Sequence, residues 1–599
     1  MHRPSLLLVA LAGLLVCSIC HGQVTTATSI TSVPMPPPST EPPPKLDPET
    51  EKKALDLVET LSEQVLNLHA SANRIRAGSQ VADLLWVRDE KRARTLFGAA
   101  VSQLANEISE LDYGDPNVYT EMGRIYQLRQ ELLMRLAAHD GDLAIAALNQ
   151  TRFQGDNRNR YSGNWTADSE ANLEVSLANV IVGKSPESAL KLVRSSLSRG
   201  VSGNIISFLP TLYKKDAKSA QTLYQEIAGK IKEDNVGRNG ELANNAWNLL
   251  TSFQPPQADE DTYRDLLTSM LNNLIAMNRQ TQQGINMAQS MYYQVDRVLP
   301  LVEKYAPTRA AELREWSRGV EKTIDPNAQM YQELRRVSEK GTVDDILALV
   351  PKAPPGFQNL LYQNAAWKAV STGDTARAKE IAEKIADPVQ RRQVMDQLDN
   401  QAARTAEGNN RVVEARRLAE KATTINRKID VLLQTATSLA GSDKKAALDL
   451  LSEAKSALAS TPQSAAELNA QMQLIQAYLR LDPEQAFGQL QPLVVRLNEL
   501  VAAAVVLDGV GYRYLKDGEW VMQGGGNVLC NLVMSLDRML ASLGRVDFDR
   551  ARTLADQIGR PEMRVMMEID LVQTTLSGKP NPNQMFFGGR MMSNGMIIN

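Results

Sequence analysis

Apolar residues recur along this chain at the three- and four-residue spacing of an α-helical face. Between residues 50 and 76 this spacing is followed by Ala54, Leu57, Leu61, Val65, Leu68, Ala72 and Ile75. Such spacing places side chains on one side of a helix. Alternating apolar and polar runs rich in β-branched residues are nearly absent. The pattern therefore predicts an all-α protein, with its longest helical stretches near the N-terminus, at 50–76 and 80–110.

A second pattern repeats on a longer scale. A capping residue, a small residue four positions later and further apolar positions on the same face recur at 185–197, 215–227, 373–385, 410–422, 442–454, 482–494 and 546–558. The anchor residues Ala310, Ile346, Ala378, Ala415, Ala447 and Ala486 are separated by 36, 32, 37, 32 and 39 residues. A period of about 34 residues is the length of one helical hairpin.

Each recurring type of position in the repeat has a physical role in forming a helical hairpin. Asp, Asn or Ser before a helix caps free backbone amides at the helix start. The small residue lets a partner helix approach closely, and Gly341 and Gly373 precede two of the helices in turns. One hairpin cannot bury its own apolar face, so neighbouring hairpins are expected to stack into a solenoid.

The segment AAWKAVSTGDTARAKEIAEKIADP (365–388) resembles a degenerate tetratricopeptide repeat. Gly373, Ala378 and Ala382 match that family's small positions, and Pro388 follows the second helix. Trp367 is not at the family's aromatic position, and alanines replace its Leu-Gly and Tyr, so other α-α repeats such as HEAT repeats stay open. The resemblance covers about 185–227 and 300–575. It implies an α-solenoid with a concave interaction surface and no catalytic residues of its own.

Composition shifts divide the chain into five predicted parts. Residues 1–22 form a signal peptide, 23–48 a Thr/Pro-rich linker and 49–170 an N-terminal helical domain or cap, in which the repeat is faint. Residues 171–576 form the repeat solenoid, in which a loop insertion at 508–527 takes the place of one repeat. The Gly/Met/Asn-rich segment 577–599 is a tail that we expect to be disordered.

The first 22 residues have the features of a secretion signal. Arg3 precedes an apolar run from Leu6 to Cys20, and Cys20-His21-Gly22 fits a cleavage site before Gln23. The sequence therefore predicts export to a periplasmic or extracellular space, with no stable membrane span after cleavage. Retention of this segment as an N-terminal anchor is the alternative. Cleavage would leave Cys530 as the only thiol, so no internal disulfide is expected.

Charge and residue usage exclude several classes of function. The 66 basic and 69 acidic residues give a net charge of −3, which argues against a nucleic-acid partner. His69 and His139 are the only histidines after residue 22, and neither a zinc motif nor a GxSxG nucleophile elbow is present. We therefore expect no catalytic residue, no metal and no cofactor. Cys530 lies on an apolar helical face, which indicates packing rather than catalysis.

Two loops concentrate aromatic residues, which are scarce elsewhere at 5% of the chain. The insertion 508–527 holds Tyr512, Tyr514 and Trp520, and we interpret it as a loop or short hairpin that protrudes from the solenoid. The second loop, at 150–168, places arginines among aromatics. Its candidate residues for binding a partner protein, with a possible carbohydrate contact, are Arg158, Arg160, Tyr161 and Trp165.

These observations predict a non-catalytic helical-repeat scaffold that mediates protein–protein interaction in a bacterial-type cell envelope. One alternative is an envelope enzyme acting on peptidoglycan or polysaccharide, with paired carboxylates carried on a helical superhelix. The other is a structural or assembly protein that self-associates. The sequence does not distinguish the protein partner.

Overall fold

A computed structural model describes residues 45–115, 118–153, 160–234, 239–276, 294–321, 341–405, 409–422, 424–458, 464–510, 512–521 and 528–578, with a few single positions between 288 and 338 and at 462. The predicted signal, most of the linker and the tail from residue 579 lie outside this part.

The described chain is almost entirely helical, as the sequence predicts. Its first half contains α1 (Pro48–Gln64), α2 (Ser71–Leu85), α3 (Glu90–Ser109), α4 (Val118–His139), α5 (Gly141–Gln150), α6 (Arg160–Ile181), α7 (Pro186–Arg199), α8 (Gly203–Tyr213), α9 (Ala217–Glu233), α10 (Gly240–Ser252), α11 (Glu260–Ile275), α12 (Val295–Tyr305) and α13 (Ala310–Glu321). Its second half contains α14 (Val343–Leu347), α15 (Pro355–Ser371), α16 (Thr375–Ala382), α17 (Pro388–Thr405), α18 (Asn409–Lys421), α19 (Ile425–Leu439), α20 (Lys444–Ala457), α21 (Ala465–Leu481), α22 (Pro483–Val506), β1 (Leu515–Lys516), β2 (Glu519–Trp520), α23 (Val528–Leu543), α24 (Phe548–Asp556) and α25 (Pro561–Ser577). Short 3-10 turns occupy Val65–Asn67, Pro307–Arg309 and Val350–Lys352.

Aspartate caps mark one set of helices. In nine of them the aspartate side chain accepts a hydrogen bond from the amide three residues later, and the capping residues are Asp47, Asp89, Asp140, Asp216, Asp259, Asp374, Asp443, Asp482 and Asp547. Such caps satisfy amides that the first helical turn leaves free. In seven of the nine helices the residues four, seven and eight positions after the cap are all buried. In α20 these are Ala447, Leu450 and Leu451, all buried.

The cap of α20 gives a direct test of this pattern. We expect Asp443→Ala to lower the free energy of local unfolding of α20 by about 1 kcal/mol, because the amide of Ala446 loses its acceptor. Hydrogen exchange across Lys444–Ala457 measures this change. Asp449→Ala, on the exposed face of the same helix, is the matched control and should leave exchange unchanged. Equal effects of the two substitutions would contradict the capping role.

Each capped helix from α3 onward packs against the helix before it, and the pairs stack into two layers. Layer A contains α2, α4, α6, α8, α10, α12, α15, α17, α19, α21, α23 and α25, and layer B contains α1, α3, α5, α7, α9, α11, α13, α14, α16, α18, α20, α22 and α24. Helices of layer A pack on one another in this order from α2 to α12 and again from α15 to α25, as in an α-solenoid. We call the edge that carries the connections from layer B to layer A the loop edge, and the opposite edge the turn edge.

The first and last helices of the described part, which we call the chain ends, meet inside this stack. Helix α25 packs against α2 within layer A, and α1 packs against α24 within layer B. Helices α25 and α1 also pack closely on each other. The last and first helices therefore form one hairpin-like unit, whose layer-A helix comes from the C-terminus and whose layer-B helix comes from the N-terminus.

Side-chain contacts cross this junction. The Nζ atom of Lys53 lies 2.8 Å from Oδ2 of Asp549, and Nε2 of Gln80 lies 3.4 Å from Oδ1 of Asp570. Gly544 lies so close to α25 that a Cβ atom there would collide with side chains of α25. One hydrophobic core runs through the junction, from Ala54 to Val320 on one side and from Ala419 to Val572 on the other. A second core covers 334–398.

The sequence prediction of two long N-terminal helices, at 50–76 and 80–110, is wrong. The chain turns at Val65–Ala70 and again at Trp86–Asp89, which gives the three helices α1, α2 and α3. The apolar spacing continues through the first turn because Val65, Leu68 and Ala70 remain buried there. The predicted domain boundary near residue 170 stays a prediction.

Candidate interaction site

The insertion between α22 and α23 folds into a small antiparallel hairpin. Leu515 pairs with Trp520 and Lys516 with Glu519, across a two-residue turn of Asp517 and Gly518. Both turn residues have positive φ, at 53° and 77°. An Asp-Gly pair favours this turn, because its twist matches that of the two strands. We call residues 512–521 the strap.

Glu519 attaches the strap to the N-terminal region. Its Oε1 atom accepts a hydrogen bond from the amide of His69 at 2.7 Å, and its Oε2 atom accepts from the amide of Ala70 and Nδ2 of Asn73, both at 3.0 Å. Ala70 is the N-cap of α2 and has no side-chain oxygen. A carboxylate from 449 residues away in the sequence therefore caps this helix start, where negative charge is favoured.

Trp520 attaches the strap to both ends of the chain. Its amide donates to Oε1 of Glu562 in α25 at 2.7 Å, and its carbonyl accepts from Nδ2 of Asn73 in α2 at 3.0 Å. Its ring is stacked on that of Tyr514, with centroids 4.8 Å apart, and only 2% of the residue is exposed. The strap thus bridges α25 and α2 at the junction of the termini.

Lys516 extends the strap to the next repeat. Its Nζ atom lies 2.7 Å from Oε1 of Glu121 in α4 and 3.6 Å from Oε2 of Glu107 in α3. Arg124 pairs with the same two carboxylates. Burial alone would raise the pKa of Glu121, but hydrogen bonds from Arg124 and Lys516 lower it to about 2. These charges hold the strap against the α3–α4 connection.

The interpretation of this insertion as a protruding loop is corrected by these contacts. Trp520 is buried, and Tyr512 and Tyr514 are half-buried, with ring centroids 4.8 Å apart. The Tyr512 hydroxyl also reaches the sulfur of buried Cys530, whose thiol pKa is raised by burial. The aromatic content of the insertion fits a buried strap as well as an exposed loop, so it could not distinguish the two. The involvement of Glu519 and Asn73 was missed, and the absence of a capping residue at Ala70 is the signal that could have found it.

The second aromatic loop begins from a buried ionic network. Nη2 of Arg152 lies 2.8 Å from Oε1 of Glu174, which also pairs with Arg199. Arg129 is fully buried, donates from Nη2 to Oε2 of Glu170 at 3.0 Å and lies over the ring of Phe153. The chain is therefore anchored up to Phe153. Arg158 lies outside the described residues. Arg160, Tyr161 and Trp165 lie on the first turns of α6, but their side chains are outside the described part.

The strap and the second loop both lie on the loop edge. The strap joins α22 to α23 and the second loop joins α5 to α6, so both are connections from layer B to layer A. Twelve large hydrophobic side chains are exposed among the described residues. Eight of them lie on the loop edge, namely Leu66, Tyr113, Tyr119, Val389, Ile425, Val506, Leu507 and Val510.

The candidate metal ligands and His139 can be placed in the described part of the chain. No group of three or more His, Cys, Asp or Glu side chains among them is arranged to hold a metal ion. His139 is stacked on Trp86, with centroids 4.7 Å apart, and its Nε2 atom lies 2.6 Å from Oδ1 of Asp83. Within the described part of the chain, no helix is both long enough and apolar enough to span a membrane.

Comparison with known proteins adds little to this geometry. No protein-family model matches the chain, and no curated protein matches it. One solved structure with a similar arrangement is a circular tandem repeat protein with novel repeat topology and enhanced subunit contact surfaces, at 12% identity and a TM-score of 0.22, covering 88% of this chain and 99% of that one. Another is a homology model of the full-length AP-3 complex in an intermediate open conformation, at 9% identity and a TM-score of 0.22, covering 88% and 93%.

Proposed function

We propose that this protein is an exported, non-catalytic scaffold that binds partner proteins along its loop edge. The observation that carries the proposal is the concentration of exposed large hydrophobic side chains there, eight of twelve among the described residues. Exposed apolar clusters on a folded protein are typical of interaction sites.

The most apolar part of this edge is the C-terminal end of α22. Val506, Leu507 and Val510 are 82%, 56% and 75% exposed and lie within five residues. They immediately precede the strap, which Glu519 and Lys516 fix to three neighbouring helices. Because the strap is held in place, less conformational entropy is lost when a partner binds next to it. A partner surface with complementary apolar groups therefore fits this position.

The cellular location is part of the same proposal. The apolar run and the small residues before Gln23 favour secretion, which would place the scaffold in the cell envelope or outside the cell. N-terminal sequencing of the protein isolated from its own cells tests this directly. A mature N-terminus at Gln23 supports export, whereas an intact N-terminus in the cytoplasmic fraction contradicts it.

Substitutions on the two edges test the binding surface. We expect the combined Val506→Ser, Leu507→Ser and Val510→Ser variant to lose the partners that the wild-type chain retains after cross-linking in its own cells. The matched control replaces Val87 and Val546, which are 86% and 53% exposed on the turn edge, by serine and should retain the same partners. Unchanged partners with the loop-edge variant would contradict the site. Hydrolysis of peptidoglycan by the purified protein, abolished by one Glu or Asp substitution, would contradict the non-catalytic role.

A further inference from the structure

The tail, residues 579–599, carries apolar side chains that no element of its own would cover. It contains eight large apolar residues, namely Met585, Phe586, Phe587, Met591, Met592, Met596, Ile597 and Ile598. Its two charged residues, Lys579 and Arg590, are both basic. Apolar clusters of this kind gain free energy when they leave water for another apolar surface. The tail therefore calls for a surface on which it can lie.

The tail leaves the described structure at the turn edge, because α25 belongs to layer A and ends there. Gly578 follows Ser577 with a positive φ of 67°, and its amide donates to the carbonyl of Thr574 at 2.9 Å. A left-handed residue at this position ends the helix. Pro580 comes two residues later and cannot continue it. The tail thus starts beside the ends of α23 and α2, which pack on α25.

An exposed valine lies next to this starting point on the α23 side. Gly544, at the end of α23, is so close to α25 that an added Cβ atom would collide with Oγ1 of Thr575. Helices α23 and α25 run in the same direction, since both belong to layer A. Two residues further along each chain, Val546 comes to the level of Ser577, and Val546 is 53% exposed.

A second exposed valine lies next to it on the α2 side. Nε2 of Gln80 in α2 is 3.4 Å from Oδ1 of Asp570 in α25, and these two helices also run in the same direction. Seven residues further along each chain, Val87 comes to the level of Ser577, and Val87 is 86% exposed. The side chain before it, Trp86, is only partly buried.

These valines are the two exposed large hydrophobic side chains of the turn edge within the described part of the chain. Of the other ten, eight lie on the loop edge, and Val413 and Val495 lie within α18 and α22. Scattered exposed valines are ordinary on a protein surface. Two that flank the start of a tail with apolar clusters instead indicate a docking surface for that tail.

The tail is long enough to reach both valines. Eight residues separate Ser577 from Met585, and an extended chain of that length spans about 26 Å. Neighbouring helix axes lie about 9 Å apart, so α2 and α23, on either side of α25, are separated by about 18 Å. Phe586 and Met592 are six residues apart, which is about 20 Å in an extended chain. One apolar cluster can therefore lie on each valine.

We propose that the tail docks on the turn edge of its own chain, where its Phe and Met clusters cover Val87 and Val546. Phe contributes a large apolar area, and the flexible Met side chain adapts to a shallow surface. The tail of the same chain is the occupant, because a short connection presents it at an effective concentration on the order of 1 mM. The docked tail connects α23, α25 and α2 at the turn edge, as the strap connects α25 and α2 at the loop edge.

Trypsin cleavage at Arg590 measures this docking. Lys579 precedes a proline, so Arg590 is the position in the tail at which trypsin cuts, and the cut releases residues 591–599. The cleavage rate follows the fraction of chains whose tail is undocked. At an effective concentration of about 1 mM, a site with a Kd of about 0.1 mM protects the tail about tenfold. We expect the full-length chain to release this peptide at least about tenfold more slowly than a synthetic peptide of residues 577–599.

Serine variants of the full-length chain test the two valines. Combined Val87→Ser and Val546→Ser should bring the release rate close to that of the free peptide. The matched control, Val413→Ser with Val495→Ser, changes side chains that are 65% and 51% exposed away from α25 and should keep the protection. Serine in place of Phe586 and Phe587, in both the chain and the reference peptide, should remove the protection from the tail side.

Three results would overturn the proposal. The first is cleavage of the wild-type chain as fast as cleavage of the free peptide. The second is protection that survives the Val87→Ser and Val546→Ser substitutions. The third is protection that increases with protein concentration, because the tail would then dock on a second copy instead of its own chain.

Discussion

Glu519→Ala is expected to lower the free energy of unfolding of the α2 region by about 3 kcal/mol. The substitution leaves the amides of His69 and Ala70 and the side chain of Asn73 without their common acceptor in a buried position. Hydrogen exchange at the start of α2, together with urea unfolding of the whole chain, measures the loss. Glu519→Gln should also be costly, since its amide nitrogen would face other donors.

Asp517→Asn is the matched control for this substitution. Asp517 is exposed at the tip of the same hairpin, and asparagine accepts its positive φ of 53°. We expect wild-type stability from this variant. Similar losses of stability from substitutions at 517 and 519 would mean that any change in the hairpin destabilises it. Glu519 would then have no specific capping role.

Leu57→Ala should lower the free energy of unfolding by a similar amount, and the helices in which the loss appears are more informative than its size. Leu57 is 1% exposed on α1, so its truncation should cost roughly 2–5 kcal/mol. Because α1 packs on α25, we expect faster hydrogen exchange along Pro561–Ser577, about 500 residues away in the sequence. In an open solenoid the damage would be confined to α1 and its sequence neighbours, since each repeat contacts only adjacent ones.

Leu66→Ala provides the control for that comparison. Leu66 follows α1 directly, but it is 65% exposed and contributes little to the core. We expect exchange in α25 to be unchanged by this variant. If Leu57→Ala also leaves α25 unchanged, the two ends of the chain do not support each other.

Much of the architecture could be predicted because it is local. The aspartate caps and the apolar positions that follow them repeat within each hairpin, so Asp374, Ala378 and Ala382 already indicate a capped helix with a buried small face. The N-terminal helices were less regular. At Val65–Ala70 buried residues continue the helical spacing through a turn, which concealed the boundary between α1 and α2.

The packing of the two chain ends on each other could not be predicted from such a local pattern. Asp47 caps α1 just as the other aspartates cap their helices, yet no sequence period connects residue 47 to residue 577. The partners of Glu519 are likewise more than 440 residues away. A carboxylate that caps a distant helix has the same local sequence as one on a solvated surface, so only the tertiary structure distinguishes them.

The most direct test of the paired chain ends is the distance between positions 53 and 549 in solution. Spin labels on cysteines at these positions, with the native cysteines replaced by serine, allow this distance to be measured by pulsed electron resonance. The contact between Lys53 and Asp549 predicts one short distance, close to the combined reach of the two labels. An extended stack of roughly a dozen helix spacings of about 9 Å would instead separate the labels by on the order of 100 Å, and a distance of that size would contradict the paired ends.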